Sequence, residues 1–248
     1  MKGSILNLLV SKHYTVTDHT KWPGDRSHEG NLVENYKAMS DLMVASARKN
    51  LIGLDDVVVH TGEADNIRDV FRIHFYEIYE LWKQGHNILY ADSDVIFTKP
   101  YDYFSKFDKF VMFNYTDGGQ KGTTCNHYNV AVKHFYNCGI RYYPQTMSQD
   151  IWDIGLRMCE NWNPNRWNSE QLIYNVMMWS QQFDQHFYRP DLAYQAVSGD
   201  TAHNDRFNGI PLNQAHAVHF HGSRGSSNRL DRMRAVSERF VNTDTIVL

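Results

Sequence analysis

The sequence predicts an α/β fold in which helices flank a mixed, mainly parallel sheet, and three observations predict it. Short apolar runs, typical of buried strands, alternate with longer segments whose apolar residues recur at helical spacing. The succession of strand, helix, strand, helix and strand favours a parallel sheet covered on both faces. A chain of 248 residues with 42% hydrophobic content suits one domain, and no stretch rich in Gly, Pro or Ser divides it.

The first half of the chain carries the clearest pattern. Asn31 and Glu34 have the spacing of a capping box that begins a helix, and Gly85 is placed to end the next helix. In order, we predict a strand at residues 5–10, a loop at 11–30, a helix at 31–49, a strand at 55–60, a helix at 65–84, a strand that carries Asp92 and Asp94, and a strand at 110–113.

The second half is more mixed, but apolar spacing still defines most of its elements. We predict a loop at residues 121–129, a strand at 136–143, helices at 148–162 and 169–182, a short buried strand at 217–220 and a final helix at 229–240. The last helix is rich in arginine, and its charge is considered below.

Composition excludes several classes of protein. The formal net charge of −3 argues against a chain that coats nucleic acid over its whole surface. Three widely spaced cysteines, without a C-x-x-C pair, predict neither a disulfide framework nor a cysteine zinc site, and they favour a reducing compartment. The apolar stretch near the N-terminus is too short for a signal peptide or a membrane span, so we expect a cytoplasmic protein.

Asp92 and Asp94 are the strongest chemical signal. They follow the apolar run at residues 87–91 and precede another at 95–97. Residues i and i+2 of a strand share a face, so we expect both carboxylates to point the same way at the carboxyl end of a strand. Two carboxylates there form half of a site for Mg²⁺ or Mn²⁺, with water and phosphate as further ligands. A D-x-D pair alone is common on solvated loops, so its context must carry the inference.

The block from Asp92 to Pro100 resembles the D-x-D region of GT-A glycosyltransferases, especially retaining enzymes such as glycogenin, the lipopolysaccharide galactosyltransferases and the α-galactosyl- and α-xylosyltransferases. This resemblance implies a GT-A, Rossmann-like fold over residues 1–248. The nucleotide-binding half would lie at about 1–115 and the half for sugar and acceptor at about 116–248. It also implies transfer of a hexose or pentose from a nucleotide-diphospho-sugar, with a UDP-sugar as the expected donor.

Three further blocks follow in the family's order. Residues 135–140 are similar to its F-N-x-G strand, with Tyr136 as an extra residue, and residues 167–171 to its D-Q block, with Glu170 in place of aspartate. Residues 219–222 resemble its H-x-x-G motif. The resemblance implies that Asn137 orients the sugar and that Glu170 and Gln171 lie beside the anomeric carbon. His219 would complete the metal site, and its imidazole favours Mn²⁺ over Mg²⁺.

At the remaining donor contacts the chain departs from the family. The lysine expected after H-x-x-G is missing, and Arg224 is its nearest substitute. The family's turn after the first strand is also missing, and Tyr14 stands there as a residue that can stack on the base. The expected donor-binding residues are Tyr14, Arg72 (or Arg68), Ser93, Gly222 and Arg224.

Other interpretations stay open at this point. Without the resemblance, Asn137 can satisfy backbone groups in a turn, and Glu170 can be an acidic residue favoured by a helix N-terminus. His219 can be a hydrogen-bonded histidine of the core, and His221 can replace it as the metal ligand. A haloacid-dehalogenase-like phosphatase also uses D-x-D, and a non-catalytic nucleotide-sugar- or glycan-binding protein is a further alternative.

The sequence leaves the acceptor open between a glycan, a protein, a lipid and a nucleic acid. The arginines of the C-terminal tail suit either an anionic partner or a solvated helix: Arg224, Arg229, Arg232, Arg234 and Arg239.

Overall fold

The computed structural model describes residues 5–16, 32–65, 67–115, 136–161, 169–181, 194–195, 206–207, 210–211, 214–220 and 226–241. The helices are α1 (Leu32–Asn50), α2 (Ile67–Lys83), α3 (Tyr103–Lys106), α4 (Gln149–Glu160), α5 (Ser169–Ser180) and α6 (Ser226–Phe240). The strands are β1 (Asn7–Val16), β2 (Asp56–Ala64), β3 (Asn87–Ala91), β4 (Val95–Phe97), β5 (Val111–Tyr115), β6 (Tyr136–Tyr143), β7 (Tyr194–Gln195), β8 (Arg206–Phe207), β9 (Ile210–Pro211) and β10 (Ala217–His219).

The central sheet confirms the predicted mixed α/β architecture. Its strand order is β2-β1-β3-β6-β5, with β1 parallel to both β2 and β3. Strand β6 is antiparallel to β3 and to β5, so four strands run one way and only β6 opposes them. The carboxyl ends of β1, β2 and β3 therefore meet at one edge, where ligands of such sheets bind.

A second, small sheet lies beside this edge. Strand β10 pairs antiparallel with β4, placing His219 opposite Val95, and it pairs parallel with β7. Because Val95 directly follows Asp94, this pairing brings His219, the first residue of the H-x-x-G block, next to the two aspartates. The junction between the two sheets is thus the place where distant parts of the chain meet.

Helices cover both faces of the central sheet, and the alternation of side chains along its strands shows why. Leu8, Val10, Ile88 and Tyr90 pack with residues of α2, α4 and α5, whereas Leu9, Leu89 and Ala91 pack with residues of α1 and α3 on the opposite face. Burial of each large apolar side chain contributes roughly 1.5–3 kcal/mol. A third cluster joins α1, α6 and the small sheet, so α6 is anchored beside the junction.

Two local predictions were wrong. Strand β1 continues to Val16, through residues predicted as a loop, because it pairs with β2 in unbroken register up to Ala64. Asp92 and Asp94 lie between β3 and β4 rather than on a strand. Both departures concern polar residues at the carboxyl edge, where the apolar pattern that predicts strands ends.

Residues on both sides of the predicted boundary near residue 115 contribute to the central sheet. Strand β6, from the second half, lies between β3 and β5 from the first half. Both halves therefore build one sheet and share its edge.

Among the described helices, none combines the length and apolar character needed to cross a bilayer.

Candidate metal and donor site

A tight turn holds the two aspartates. Residues 92–95 form it, and the Val95 N–H donates to the Asp92 carbonyl at 3.2 Å. The chain passes from the central sheet into the small sheet within these four residues. The expected strand geometry is thus replaced by a turn, but the two carboxylates still converge. Ser93 is buried at the centre of this turn.

His219 completes the cluster from β10. Its Nε2 lies 3.1 Å from Asp94 Oδ1 and 3.6 Å from Asp92 Oδ2. The three ligand atoms all lie within 4.8 Å of one another. His219 is 1% exposed and Asp94 6%, while Asp92 is more open. One wall of the site is therefore buried, and solvent reaches it at Asp92.

Gly139 makes room for this histidine. A Cβ added at Gly139 would lie 2.5 Å from Nδ1 and 2.8 Å from Nε2 of His219, closer than side chains approach. The Asp92 N–H also donates to the Gly139 carbonyl at 2.8 Å. The glycine of the F-N-x-G block thus contacts Asp92 and His219, two of the three candidate metal ligands. Its role is close backbone approach, for which glycine is suited.

Each aspartate uses its two oxygens differently. Tyr90 donates its hydroxyl to Asp92 Oδ1, and Arg229 of α6 donates to Asp94 Oδ2 at 2.7 Å. The other oxygens, Asp92 Oδ2 and Asp94 Oδ1, face His219. Protein donors therefore hold the outer oxygen of each carboxylate and aim the inner one at a common point. Outer partners of this kind orient the ligands in metal sites.

The charges of the site balance within a small volume. Burial alone would lower the pKa of His219, but the negative charge of Asp94, its hydrogen bond and the charge of Asp92 outweigh burial and raise the pKa above its usual value. Burial likewise opposes the charge of Arg229, yet Asp94 and Tyr36 raise its pKa and keep it cationic. A metal ion that binds His219 would displace its proton.

A buried arginine supports the donor to Asp92. Arg141 lies opposite Tyr90 in the β3–β6 register. Its guanidinium carbon is 3.8 Å from the ring centroid of Tyr90 and 3.6 Å from that of Tyr174, on α5. A cation stacked on a ring interacts favourably with its π-electrons. This stack fixes the Tyr90 ring and, through its hydroxyl, the Asp92 carboxylate.

Asn137 and the start of α5 are joined to the same structure. The Gly139 N–H donates to Asn137 Oδ1 at 2.8 Å, so this buried side chain braces Gly139. Asn175 of α5 accepts from the Tyr136 N–H and donates to the Tyr136 carbonyl. Gln171 lies one turn before Asn175 and is half-buried. Hydrogen bonds thus connect the F-N-x-G strand to the helix of the D-Q block.

The other predicted site residues have varied positions. Tyr14, on β1, donates its hydroxyl to Glu77 at 2.5 Å, and burial together with this bond raises its pKa well above the ordinary value. Arg72 is exposed on α2, where its charge acts on Tyr76. Several other predictions fall outside the described residues or side chains: Arg68, Glu170, His221, Gly222 and Arg224.

Sequence reasoning missed Tyr90 and misplaced Arg229. Tyr90 belongs to an apolar strand, and only its i+2 relation to Asp92 hints at the hydroxyl contact. Arg229 was grouped with the basic tail, although it pairs with Asp94. Arg232 is also buried, against the ring of Phe220. The exposed face of α6 then carries Arg234 and Arg239 against Asp231 and Glu238, a balanced set.

The donor set fits a hard divalent cation. Adjacent ligands of a six-coordinate ion with bonds of about 2.1 Å lie about 3 Å apart. The separations from His219 Nε2, 3.1 and 3.6 Å, are close to that spacing. Two carboxylate oxygens and one imidazole nitrogen suit Mn²⁺ or Mg²⁺ and leave further positions for water or phosphate oxygens.

Comparison with known proteins shows which solved structures have a similar fold. Neither family models nor curated proteins match the sequence. Among solved structures, a glycosyltransferase involved in the glycosylation of the major capsid of PBCV-1 is similar, with a TM-score of 0.56 and 13% identity over 92% of this chain and 98% of that chain. The bifunctional glycosyltransferase WbbM is similar over 98% of this chain, with a TM-score of 0.55 and 13% identity, and this chain spans 50% of its length.

The fold is thus a GT-A-like α/β fold that the chain shares with glycosyltransferases. The particular site within it is a carboxylate–histidine cluster, Asp92, Asp94 and His219, at the junction of two sheets. At 13% identity the likeness establishes the fold, and the chemistry must be argued from the residues.

Proposed function

We propose that this protein is a metal-dependent glycosyltransferase that moves a hexose or pentose from a nucleotide-diphospho-sugar, most simply a UDP-sugar, to an acceptor. The observation that carries the proposal is the convergence of Asp92, Asp94 and His219 on one point at the carboxyl edge of a glycosyltransferase fold. The four sequence blocks that resemble retaining GT-A enzymes support it, because hydrogen bonds and packing join their described residues into one site.

Asp92, Asp94 and His219 would hold Mn²⁺ or Mg²⁺. A bound divalent cation supplies Lewis-acid neutralisation of the diphosphate as the nucleotide leaves. Tyr90 and Arg229 keep the carboxylates aimed, so little reorganisation is needed when donor arrives. Arg229 also keeps the buried Asp94 charge compensated before a cation binds.

The sugar would lie against β6 and the start of α5. Asn137 would orient sugar hydroxyls, and Glu170 or Gln171 would stabilise the oxocarbenium-like carbon, as carboxylates do in glycoside hydrolysis. The link from Asn175 to Tyr136 supports placing these groups on one wall. We propose retention of anomeric configuration on the basis of the sequence resemblance. Ser93, Gly222, Arg224, Tyr14 and Arg72 remain proposed donor contacts.

The acceptor is a glycan, protein, lipid or nucleic acid. An anionic acceptor bound by the C-terminal helix is the least supported choice, because Arg229 and Arg232 face inward. If the tail does bind a polyanion, affinity falls steeply with added salt.

The decisive experiment measures donor hydrolysis across a panel of nucleotide-sugars, with Mn²⁺, with Mg²⁺ and with chelator. Wild type should cleave one donor only with metal, and Asp94→Ala should lose at least about a hundredfold in kcat/KM, because one ligand is lost. Asp231→Ala, an exposed aspartate near Arg234, is the control and should be unchanged.

The same panel separates the alternatives. A haloacid-dehalogenase-like phosphatase would hydrolyse simple phosphomonoesters, and a binding protein would bind donor without turnover. Equal turnover of wild type and Asp94→Ala would remove the metal-site proposal.

A further inference from the structure

A second cluster of metal-ligand side chains lies on the other side of Tyr90. His60 of β2 and His74 and Glu77 of α2 converge there, and their ligand atoms all lie within 4.8 Å of one another. His60 Nδ1 is 3.0 Å and His74 Nδ1 3.3 Å from Glu77 Oε2, and the two Nδ1 atoms are 3.2 Å apart. The His74 and Tyr90 ring centroids are 5.1 Å apart, and this cluster shares no residue with the group of Asp92, Asp94 and His219.

The three separations match the spacing of ligands around a tetrahedral ion. Zinc bonds to nitrogen and oxygen are about 2.0–2.1 Å long, so two ligand atoms of a tetrahedral site lie about 3.3–3.4 Å apart. The observed edges of 3.0, 3.2 and 3.3 Å form such a face, slightly contracted. Two imidazoles and one carboxylate are a common ligand set of Zn²⁺.

A hydrogen-bond network alone fits this geometry poorly. Tyr14 already donates to Glu77 Oε2, and both imidazole nitrogens lie within 3.3 Å of the same oxygen. If both nitrogens carry protons, three donors compete for one oxygen that offers two lone pairs. If only one does, its proton is shared between that oxygen and the other imidazole nitrogen, 3.2 Å away. If the two nitrogens instead carry lone pairs, they and the carboxylate oxygen repel one another unless a cation lies among them.

We propose that His60 Nδ1, His74 Nδ1 and Glu77 Oε2 bind a Zn²⁺ ion, with water as its fourth ligand. Glu77 is one-third exposed and His60 one-sixth, so water reaches the ion. Tyr14 acts as the outer partner that orients Glu77, a role its raised pKa suits because it stays a donor.

The surroundings agree with neutral ligands. Burial lowers the pKa of both His60 and His74, and Lys12 lowers that of His74 further. Lys12 itself faces aromatic rings, with its Nζ 4.3 Å from the centroid of Phe71. The ion would join β2 to α2 directly, and β1 to both through Tyr14. This is the carboxyl edge of the sheet, where we propose that the donor binds.

Zinc titration of the metal-free protein tests the proposal in a background where the first site is disabled. The double variant Asp92→Asn with Asp94→Asn should still bind one Zn²⁺ by calorimetry, and bound Co²⁺ should give the strong visible absorption of a four-coordinate site. Adding Glu77→Gln should weaken this binding at least about tenfold. Glu80→Gln, one turn further along α2 and exposed, is the matched control and should leave binding unchanged.

Two results would overturn the site: no Zn²⁺ bound in the double-variant background, or equal affinity in the Glu77→Gln and Glu80→Gln proteins. If Glu77→Gln fails to fold by circular dichroism, His60→Gln serves instead, because His60 lies at the edge of the cluster and is partly exposed. Undiminished zinc affinity in His60→Gln would likewise leave the cluster as a hydrogen-bond network.

Discussion

At the scale of single residues, the carboxylates matter through the donors that aim them. Tyr90 and Arg229 each donate a hydrogen bond to one oxygen of an aspartate, and the remaining oxygens face His219. Neither donor would bind the metal. Their contribution is orientation, and it should therefore be measurable as metal affinity without loss of any ligand.

Arg229→Met tests this orientation. The methionine fills the space but leaves Asp94 Oδ2 without its donor, so Mn²⁺ affinity should fall about 10–100-fold, as it does on loss of such partners elsewhere. Calorimetric titration with Mn²⁺ measures it. Arg234→Met removes an exposed arginine of the same helix and should leave affinity unchanged. Equal affinity in both variants would mean that Arg229 only compensates charge.

Gly139→Ala tests the packing of His219. The added Cβ would clash with the imidazole, so His219 must move away from Asp94. We expect a loss of about 1–3 kcal/mol in the free energy of unfolding, as for overpacked cores, together with loss of Mn²⁺ binding. Denaturant unfolding measures the first. The double variant Gly139→Ala with His219→Ala should recover part of the stability, because the clash is gone. Additive losses would contradict this explanation.

At the scale of elements, the link between β6 and α5 fixes the position of the proposed sugar-binding wall. Asn175 bonds both backbone groups of Tyr136, and all these atoms are buried. Tyr136 pairs with Tyr115 of β5, but the pairing of β6 with β3 begins only at Ile140, so the Asn175 bonds add a second attachment at the beginning of β6. The position of Gln171 relative to Asn137 depends on them.

Asn175→Leu removes both bonds without leaving a cavity. Two buried backbone groups lose their partners, at about 1–3 kcal/mol each, so the free energy of unfolding should fall by roughly 2–6 kcal/mol. Thermal and urea unfolding measure the loss. Ser180→Ala, on the same helix, loses only a bond to Met177 and should cost less than about 1 kcal/mol. A mild Asn175→Leu variant would show that α5 is held by its apolar face alone.

The bounds of the strands show how much of the fold could be predicted from the sequence. Strand β6 has the predicted bounds, because apolar residues and strong strand formers cover it. The two-residue strands β7, β8 and β9 were missed, since pairs of residues carry no periodicity. The turn at Asp92 and the end of β1 depend on partners far along the chain. Asp92, Asp94 and His219 were predictable from their motifs. The contact of Arg229 with Asp94 was not, because it depends on how α6 packs in the fold.

At the scale of the whole molecule, the candidate metal site brings together three parts of the fold. Asp92 follows the central sheet, His219 belongs to the small sheet and Arg229 to α6. An ion bound there would cross-link three units at the junction. Binding should therefore stabilise the fold as a whole rather than one loop.

Mn²⁺ should raise the melting temperature of the protein, and nucleotide diphosphate should raise it further. At a metal concentration about 100 times its Kd, stabilisation is about 2.7 kcal/mol, which for a chain of this size corresponds to several degrees. His219→Gln should lose the shift because a ligand is removed. His216→Gln, on the segment leading into the same strand, should keep it even if its own melting temperature differs. NaCl at matched ionic strength separates specific binding from screening, and a shift that survives in His219→Gln would place the cation elsewhere.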